Sequence, residues 1–213
     1  SVLTICYNYH MHKIELQEGE RIDQLFSTDV QIIQNREVFS YSVDSVLLSR
    51  FPKMPAKKGL IVDLCSGNGA VGLFASTRTK AQIVQVELQE RLADMNRRSI
   101  ELNGLEEQLT VINDDLANLP QYDLRSKVDL MLCNPPYFKV DESSNLNESE
   151  HYLLARHEIA TNLDNICQVA QQVLKSNGRL AMVHRPDRFL DILDKLRIYK
   201  LAPKRIQFVY PKA

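Results

Sequence analysis

The chain has 213 residues, which suits one domain, or one domain with a small appendage, and can bury a substantial core. Its 26 basic and 27 acidic residues leave a net charge of −1, so overall charge identifies no partner. No apolar run reaches membrane-spanning length and the N-terminus lacks a secretory pattern, so we expect a cytoplasmic protein without a membrane partner. We expect no metal site, because histidines are scattered and the cysteines lie far apart, at Cys6, Cys65, Cys133 and Cys167.

The first fifty residues come before any regular alternation of strands and helices. Residues 15–28 are acidic and predict a short helix or a strand-like arm, and residues 30–34 predict a strand. Ser42 can cap a following helix, with Asp44 in its first turn. The apolar face of this helix is predicted to comprise Val43, Val46, Leu47 and Phe51.

From residue 60 onward, short apolar runs alternate with helical patterns. Six strands are predicted, at residues 60–64, 82–87, 109–113, 128–133, 180–184 and 206–210. The helices between them include residues 70–76, a helix with apolar positions Leu88, Leu92, Met95, Ser99 and Leu102, one with apolar positions between 166 and 174, and residues 186–199. Two of these helices are predicted to end at Asn103-Gly104 and at Ser176-Asn177-Gly178. The alternation predicts a parallel, doubly wound, Rossmann-like α/β sheet.

A glycine-rich segment follows the first strand of this sheet. The segment Gly67-Asn68-Gly69-Ala70-Val71-Gly72 matches the dinucleotide-binding fingerprint, whose glycines allow a tight turn and close approach to a ligand. Glu87 lies twenty residues after Gly67 at a strand end, where it can bind ribose hydroxyls, so a nicotinamide-dependent enzyme is one interpretation. Asp63 argues against the nicotinamide interpretation, because a carboxylate four residues before the first glycine would repel a pyrophosphate and attract an ammonium group.

The strand at residues 128–133 is followed by Asn134-Pro135-Pro136-Tyr137, whose prolines cannot continue a hydrogen-bonded ladder. An exocyclic amine such as N6 of adenine is a poor nucleophile, because its lone pair is delocalised into the ring. The Asn134 side-chain oxygen and the Pro135 carbonyl can accept both amine hydrogens and favour a tetrahedral nitrogen, while Tyr137 stacks on the base. The alternative interpretation is an ordinary proline-terminated strand and turn.

In this motif and in the loop from Asp63 to Gly69, the chain resembles the amino-group methyltransferases that use S-adenosylmethionine (SAM), over about residues 18–211. It is most similar to the bacterial tRNA1(Val) adenine-N6 methyltransferase family. The resemblance implies SAM as cofactor and a tRNA substrate, methylated at an adenine N6 in the anticodon loop. The residues that it implies for catalysis are Asn134, Pro135, Pro136 and Tyr137.

The same resemblance implies a set of cofactor contacts. The segment around residues 39–51 closes over the cofactor in this family, and the family places an acid after the third strand on the adenine amino group. Asp115 matches that acid better than Asp114, because it precedes an apolar residue. The implied cofactor-binding residues are Tyr41, Asp44, Asp63, Gly67, Gly69, Glu87, Asp114, Asp115 and Asn134.

The resemblance also implies how the chain is divided. Residues 1–51 are expected to form an N-terminal extension and cofactor-capping segment, and residues 52–213 the SAM-binding methyltransferase domain. The sheet of the family ends in a seventh, antiparallel strand between the fifth and sixth. The sequence stops at Ala213, before such a strand, so we expect the natural protein to continue.

Basic residues near the predicted strand ends indicate a polyanionic substrate. The C-terminal part is rich in lysine and arginine, whereas the first fifty residues lean acidic. An ordinary solvated helix face explains part of this pattern. The residues expected to contact phosphates are Lys139, Arg156, Arg185 and Arg188.

Three alternatives to a tRNA methyltransferase remain open from the sequence. Glutamine-N5 methyltransferases of proteins and adenine-N6 methyltransferases of DNA share the Asn-Pro-Pro-Tyr motif. An inactive module that binds SAM and RNA is the non-enzymatic alternative. The intact motif and Asp63 argue against it, because a degenerate copy would be free to lose them.

Overall fold

The computed structural model describes residues 14–36, 41–135 and 163–210. An antiparallel hairpin of β1 (Glu20–Gln24) and β2 (Gln31–Asn35) comes first. The described strands of the main sheet are β3 (Leu60–Leu64), β4 (Gln82–Glu87), β5 (Leu109–Asn113), β6 (Val128–Cys133) and β7 (Leu174–Met182). They are all parallel and lie in the order β5-β4-β3-β6-β7.

Helices cover both faces of this sheet. The α-helices are α1 (Val43–Arg50), α2 (Ala70–Ser76), α3 (Glu90–Leu102), α4 (Leu163–Val173) and α5 (Phe189–Ile198), with 3₁₀ turns at Leu116–Gln121 and Pro186–Arg188. Within the described ranges, no helix combines the length and apolar composition that a membrane crossing requires.

Alternating strand residues build two separate cores. Ile61 and Ile83 pack on one face with side chains of α1, α2 and α3. Val62 and Val86 pack on the other face with α4 and the first 3₁₀ turn. Because both faces are covered, the strands are nearly continuous apolar runs, which is why β3 to β6 have the predicted bounds. The predicted parallel, doubly wound α/β sheet is confirmed.

The predicted apolar face of α1 is wrong in part. Ser42 occupies the N-cap position, but its side chain makes no capping hydrogen bond. Val43 is 68 % exposed, whereas Ser45, Leu48 and Ser49 are buried. The short helix packs against α2, and hydrophobicity alone did not identify its buried side.

The Asn177-Gly178 pair lies inside β7, and the prediction that it ends a helix is wrong. Helix α4 ends at Val173, and the chain enters β7 at the next residue. Asn177 has a φ of +64°, and the pairing of β6 with β7 is irregular at this point. The ability of Asn-Gly to adopt turn conformations therefore serves a bulge within β7.

The predicted sixth strand at residues 206–210 is absent. This described segment has no regular secondary structure, and Ile206, Phe208, Val209 and Tyr210 are more than half exposed. Phe208 contacts the ring of Phe189 at a centroid distance of 5.5 Å. An apolar run becomes a strand only beside a partner, and no described strand lies beyond β7.

Candidate active site

The carboxyl ends of the parallel strands bring most of the predicted site residues to one edge of the sheet. Asp63 lies in β3 and Glu87 ends β4, while Asp114 follows β5 and Asn134 follows β6. Since adjacent strands are about 4.8 Å apart, these four positions form a row in the order Asp114, Glu87, Asp63, Asn134. The chain order reverses between β3 and β6, and open α/β sheets bind ligands at such a reversal.

The loop between β3 and α2 is held in left-handed conformations. Cys65, Gly67 and Gly69 have φ values of +56°, +55° and +91°. A Cβ atom on Gly69 would lie 2.2 Å from Oδ1 of Asn96, which comes from α3 and is fully buried. Gly69 is therefore required both by its conformation and by the side chain packed against it.

Gly72 is required for a different reason, which is the close packing of α2 on the sheet. A Cβ atom on Gly72 would lie 2.5 Å from Cδ of Gln85, a fully buried residue of β4. The Gln85 amide donates to the carbonyl of Gly69 at 3.3 Å, so this side chain also braces the loop. The third glycine of the fingerprint thus makes room for an amide beneath the loop.

We expect Gly72→Ala to lower the free energy of unfolding by about 1–3 kcal/mol, the usual effect of overpacking. In an unconstrained helix the same change would stabilise by about 1 kcal/mol. The sign of the change in the free energy of unfolding therefore shows whether the contact with Gln85 dominates. Urea denaturation of Gly72→Ala, Gln85→Ala and the double variant measures it. The double variant should be more stable than the sum of the single effects predicts, and additive effects would show that Gln85 is not the obstacle.

Asp63 is a fully buried carboxylate that faces the first turn of α2. Among the described residues, neither of its oxygens has a hydrogen-bond partner in standard geometry. Burial raises the pKa of Asp63 well above its ordinary value, and the charge of Glu87 adds to this effect, whereas the Gly72 N–H partly offsets it. A buried carboxylate with both oxygens unpartnered fits a cationic ligand group, because a charge in such a place requires a partner.

Glu87 braces the loop from the neighbouring strand. One carboxylate oxygen accepts the Gly67 N–H at 2.8 Å, and the other accepts the Gln89 N–H at 2.8 Å. Burial raises the pKa of Glu87, although these backbone N–H groups counteract it. Each oxygen retains a second lone pair, so a carboxylate fixed in this way can still accept from ribose hydroxyls.

The two acids after β5 have different roles. Asp115 caps the following 3₁₀ turn by accepting the Ala117 N–H at 2.9 Å. Asp114 accepts from the Tyr122 hydroxyl at 2.7 Å and from the Asn118 amide at 2.8 Å, and these hydrogen bonds lower its pKa. The contact of Asp115 with the Ala117 N–H is the ordinary capping contact of a helix N-terminus and does not indicate a ligand. The assignment of Asp114 and Asp115 as cofactor ligands therefore stays a prediction.

The predicted catalytic motif, Asn134 to Tyr137, lies only partly within the described residues. Asn134 is half-buried and Pro135 is buried, directly after Cys133, whose carbonyl accepts the Val183 N–H at 3.2 Å. Register pairs Cys133 with Leu64, so Asn134 lies beside the start of the glycine loop. Pro136 and Tyr137 lie outside the described residues.

Tyr41 precedes α1, and Asp44 lies in the first turn of that helix. The Tyr41 N–H donates to Oε1 of Gln34 in β2 at 3.0 Å, and its ring meets Phe74 of α2 edge-on at 5.8 Å. Asp44 is half-buried in the first turn of α1. Tyr41 is thus placed against α2 by a residue of the hairpin, and its cofactor contact stays a prediction.

Arg185 and Arg188 lie just beyond β7, at the edge that carries Asn134. Arg185 pairs with Asp187 at 3.4 Å and Arg188 with Asp191 at 3.0 Å. Arg185 is exposed and Arg188 is half-buried. Ion pairs accessible to solvent contribute little, at most about 1 kcal/mol, so a phosphate can replace the carboxylate. Lys139 and Arg156 lie outside the described residues.

The Cys65 thiol near the site is not activated as a nucleophile. A hydrogen bond with Cys133 and then burial raise the pKa of the Cys65 thiol well above its ordinary value. Raised thiol pKa values keep sulfur protonated and therefore poorly nucleophilic. Among the described residues, no group of three or more histidine, cysteine, aspartate or glutamate side chains could hold a metal ion.

Sequence reasoning missed the buried amides around the loop. Asn68, Gln85 and Asn96 are fully buried, and each has a carbonyl oxygen without a partner among the described residues. Asn96 donates to Oγ of Ser66 at 3.3 Å. The only sequence signal was the polar character of Gln85 within an otherwise apolar strand.

The fold and this row of polar side chains define a Rossmann-like protein with polar side chains gathered at the switch point of its sheet. Residues 29–198 match the family model of the methyltransferase small domain, so the chain belongs to this family.

Two curated relatives share a name. The tRNA1(Val) (adenine(37)-N6)-methyltransferase of Shewanella loihica is 27% identical over 164 residues, which cover 74% of this chain and 65% of the relative. The enzyme of the same name from Aliivibrio fischeri is 30% identical over 143 residues, covering 67% and 58%. The chain therefore spans less than two thirds of the length of either relative.

Solved structures share the fold at lower identity. TYW2 of Pyrococcus horikoshii in complex with MeSAdo matches with a TM-score of 0.61 and 13% identity, over 86% of this chain and 61% of that one. Geranyl diphosphate C-methyltransferase of Streptomyces coelicolor, in complex with S-adenosyl-L-homocysteine, matches with a TM-score of 0.51 and 14% identity, over 74% and 54%. At these identities, both comparisons show a shared fold and nothing further.

Proposed function

We propose that the protein is a SAM-dependent methyltransferase that methylates N6 of an adenine in a tRNA, with the anticodon loop as target. The observation that carries this proposal is the buried carboxylate of Asp63 on β3, which has no hydrogen-bond partner in standard geometry among the described residues and lies one strand from Asn134 at the end of β6. The names of the relatives from Shewanella loihica and Aliivibrio fischeri support the choice of substrate.

The residues of the site fit SAM better than a dinucleotide. Asp63 would hold the ammonium of the methionine moiety by a charge-assisted hydrogen bond, whereas it would repel a pyrophosphate. Glu87 would accept from the ribose, and Asp114 or Asp115 would lie at the adenine end of the row. SAM supplies an activated methyl group on a positively charged sulfur.

The chain itself prepares the acceptor nitrogen. Asn134 and the carbonyl of Pro135 would accept the two N6 hydrogens, so that the lone pair of the amine points toward the methyl group. As the new C–N bond forms, the C–S bond breaks and its electron pair stays on sulfur. The methylated nitrogen is then acidic and releases its proton to water, so no histidine is needed as a base.

A loop adenine is the substrate that this arrangement accepts most readily. The amine must reach Asn134 at the strand edge, which a paired and stacked base cannot do, and loop bases unstack most easily. The proposal is tested by incubating total tRNA with the protein and SAM and analysing the nucleosides by mass spectrometry. N6-methyladenosine is expected, and its absence in the presence of bound SAM would overturn the substrate assignment.

We expect reversal of Arg185 and Arg188 to glutamate to weaken tRNA binding and leave SAM binding unchanged. Losing two phosphate contacts should make the slope of log affinity against log salt shallower by about 1.4, at roughly 0.7 per phosphate of a single strand. Fluorescence anisotropy over a salt series measures both effects. Reversal of Arg125 and Lys127 is the matched control, because these exposed residues precede β6 at the opposite sheet edge. Equal losses in the two double variants would mean that binding is not localised at the motif.

A further inference from the structure

The hairpin of β1 and β2 is attached to the rest of the protein through the backbone of β2. The register in which β2 pairs with β1 directs the N–H and C=O groups of Gln31 and Ile33 away from β1. Side chains, not another strand, bind all four groups. Asn103 accepts the Gln31 N–H at 2.8 Å and donates to its carbonyl at 2.7 Å. The edge of β2 is therefore completed by side chains from outside the hairpin.

At Ile33 these side chains come from two different elements. Oγ of Ser99 in α3 accepts the Ile33 N–H at 3.0 Å and donates to the Met95 carbonyl at 2.8 Å, which fixes its orientation. The amide of Asn68 donates to the Ile33 carbonyl at 2.9 Å. Asn68 is fully buried and lies between Gly67 and Gly69, in the middle of the glycine loop.

Helix α3 and its C-cap residue Asn103 contact both the glycine loop and the hairpin through a polar stripe, in which Asn96 and Ser99 are buried and Asn103 is half-buried. Asn96 donates to Ser66 in the glycine loop, while Ser99 and Asn103 bind β2. These three positions recur at helical spacing and face one side of α3. The helix thus holds the loop and the hairpin in a fixed relation, and Asn68 connects the two directly.

The hairpin reaches a second part of the site through Gln34, a buried residue of β2. Its Oε1 accepts the Tyr41 N–H at 3.0 Å, and its amide donates to Asp23 of β1 at 2.6 Å. One strand therefore contacts the glycine loop through Ile33 and the segment before α1 through Gln34. A displacement of β2 would move both.

We propose that Asn68 is a positioning residue that couples docking of the N-terminal hairpin to the SAM-binding conformation of the glycine loop. The inference rests on the proposed function for the identity of the ligand. Coupling between two sites is reciprocal, so SAM must strengthen hairpin docking by the same factor by which docking strengthens SAM binding. One neutral buried hydrogen bond allows a factor of about 2 to 10.

Calorimetric SAM titrations of a double-mutant cycle test the coupling. Asn103→Ala removes the anchor of the hairpin about 10 Å from Asn96, two helical turns along α3. It should weaken SAM binding about 2- to 10-fold in the natural background and have no further effect in the Asn68→Ala background. Arg97→Ala is the matched control on α3, because Arg97 pairs with Glu90 on the helix surface. It should leave SAM affinity unchanged.

Residue-resolved hydrogen exchange gives a readout that a merely structural role would not produce. SAM should slow exchange of the Gln31 and Ile33 amides in the natural protein and in Arg97→Ala, but not in Asn68→Ala. If Asn68→Ala does not fold, the exchange experiment on the natural protein and the Asn103→Ala titration still decide. Unchanged exchange at β2 on SAM binding, or an equal effect of Asn103→Ala in both backgrounds, overturns the coupling alone. Failure of the natural protein to bind SAM overturns the proposed function, and this inference with it.

Discussion

Asn134→Ala is expected to reduce the turnover number for methyl transfer by about 10²-fold or more, with little change in SAM affinity. The estimate follows from the loss of one preorganised polar group at a reacting centre, which raises the barrier by about 2.7–4 kcal/mol. The reason is that Asn134 would act on the acceptor amine, whereas the cofactor would be held by residues on β3, β4 and β5. Single-turnover kinetics at saturating SAM, together with calorimetry, separates the two effects.

Asn113→Ala is the matched control for this experiment. Asn113 is also an amide at a strand end, where it donates to the carbonyls of Glu87 and Leu88 at 2.9 and 3.1 Å. Its loss should loosen the segment after β4 and lower stability or SAM affinity, while turnover at saturating SAM changes little. Retention of full turnover in Asn134→Ala would remove Asn134 from the chemistry.

Asp63→Asn is expected to abolish most SAM binding and at the same time to stabilise the protein without SAM at neutral pH. Loss of a charge-assisted hydrogen bond, on the order of 1.5–3 kcal/mol, weakens SAM affinity by about 10- to 150-fold. The gain in stability follows because the pKa of Asp63 is raised in the folded state. Its protonated form is favoured on folding, so the favourable contribution exists at low pH and is lost as pH rises from the unfolded value of 3.8 through the folded pKa.

The raised pKa also predicts how SAM binding depends on pH. The ammonium of SAM requires the ionised carboxylate, so affinity should rise with pH through the pKa of Asp63 in the free protein, with uptake of SAM releasing a proton. Glu87 titrates beside it, since burial raises its pKa too. Calorimetry in buffers of different ionisation enthalpy between about pH 5 and 8 measures the released proton, which Asp63→Asn should reduce. NAD should not bind at any of these pH values.

Asp129→Asn is a control that should change the stability of the protein in the opposite direction. Asp129 lies at the amino end of β6, where it accepts the Leu60 N–H at 2.9 Å and pairs with Lys175. Although burial raises its pKa, these partners lower it overall, so its stabilising contribution is present above the unfolded pKa and lost on acidification. Asp129→Asn should therefore destabilise at neutral pH and leave SAM affinity unchanged. If Asp63→Asn also destabilises, the unfavourable burial assigned to the charged carboxylate of Asp63 is wrong.

The parts of the fold that were predictable are those whose residues are buried on both sides. The strands β3 to β6 are apolar runs between layers of helices, so local composition defines their bounds. Residues 206–210 have the same composition, but strand formation depends on a neighbour that the sequence does not specify. The buried side of α1 likewise depends on its packing against α2, which the pattern of apolar residues does not specify.

The candidate site divides in the same way. The glycine fingerprint, Asp63 and Glu87 carry a recognisable spacing, and the topology brings them to one edge. The amides that hold the loop carry no such signal, because Asn68, Gln85 and Asn96 come from three elements that meet only in the folded protein. The packing of Asn96 against Gly69 explains why the loop needs a glycine there, and the packing of Gln85 against Gly72 explains the glycine in α2.

Parallel transfer of labelled methyl from SAM to total tRNA, duplex DNA and total protein tests the central claim most directly. The account predicts label in tRNA alone, recovered as N6-methyladenosine from a loop, and its loss in Asn134→Ala. Label that appears only in protein glutamine or in duplex DNA would contradict the tRNA assignment, although the fold and the SAM site would stand. Absence of transfer to all three, with SAM bound, would contradict the enzymatic function itself.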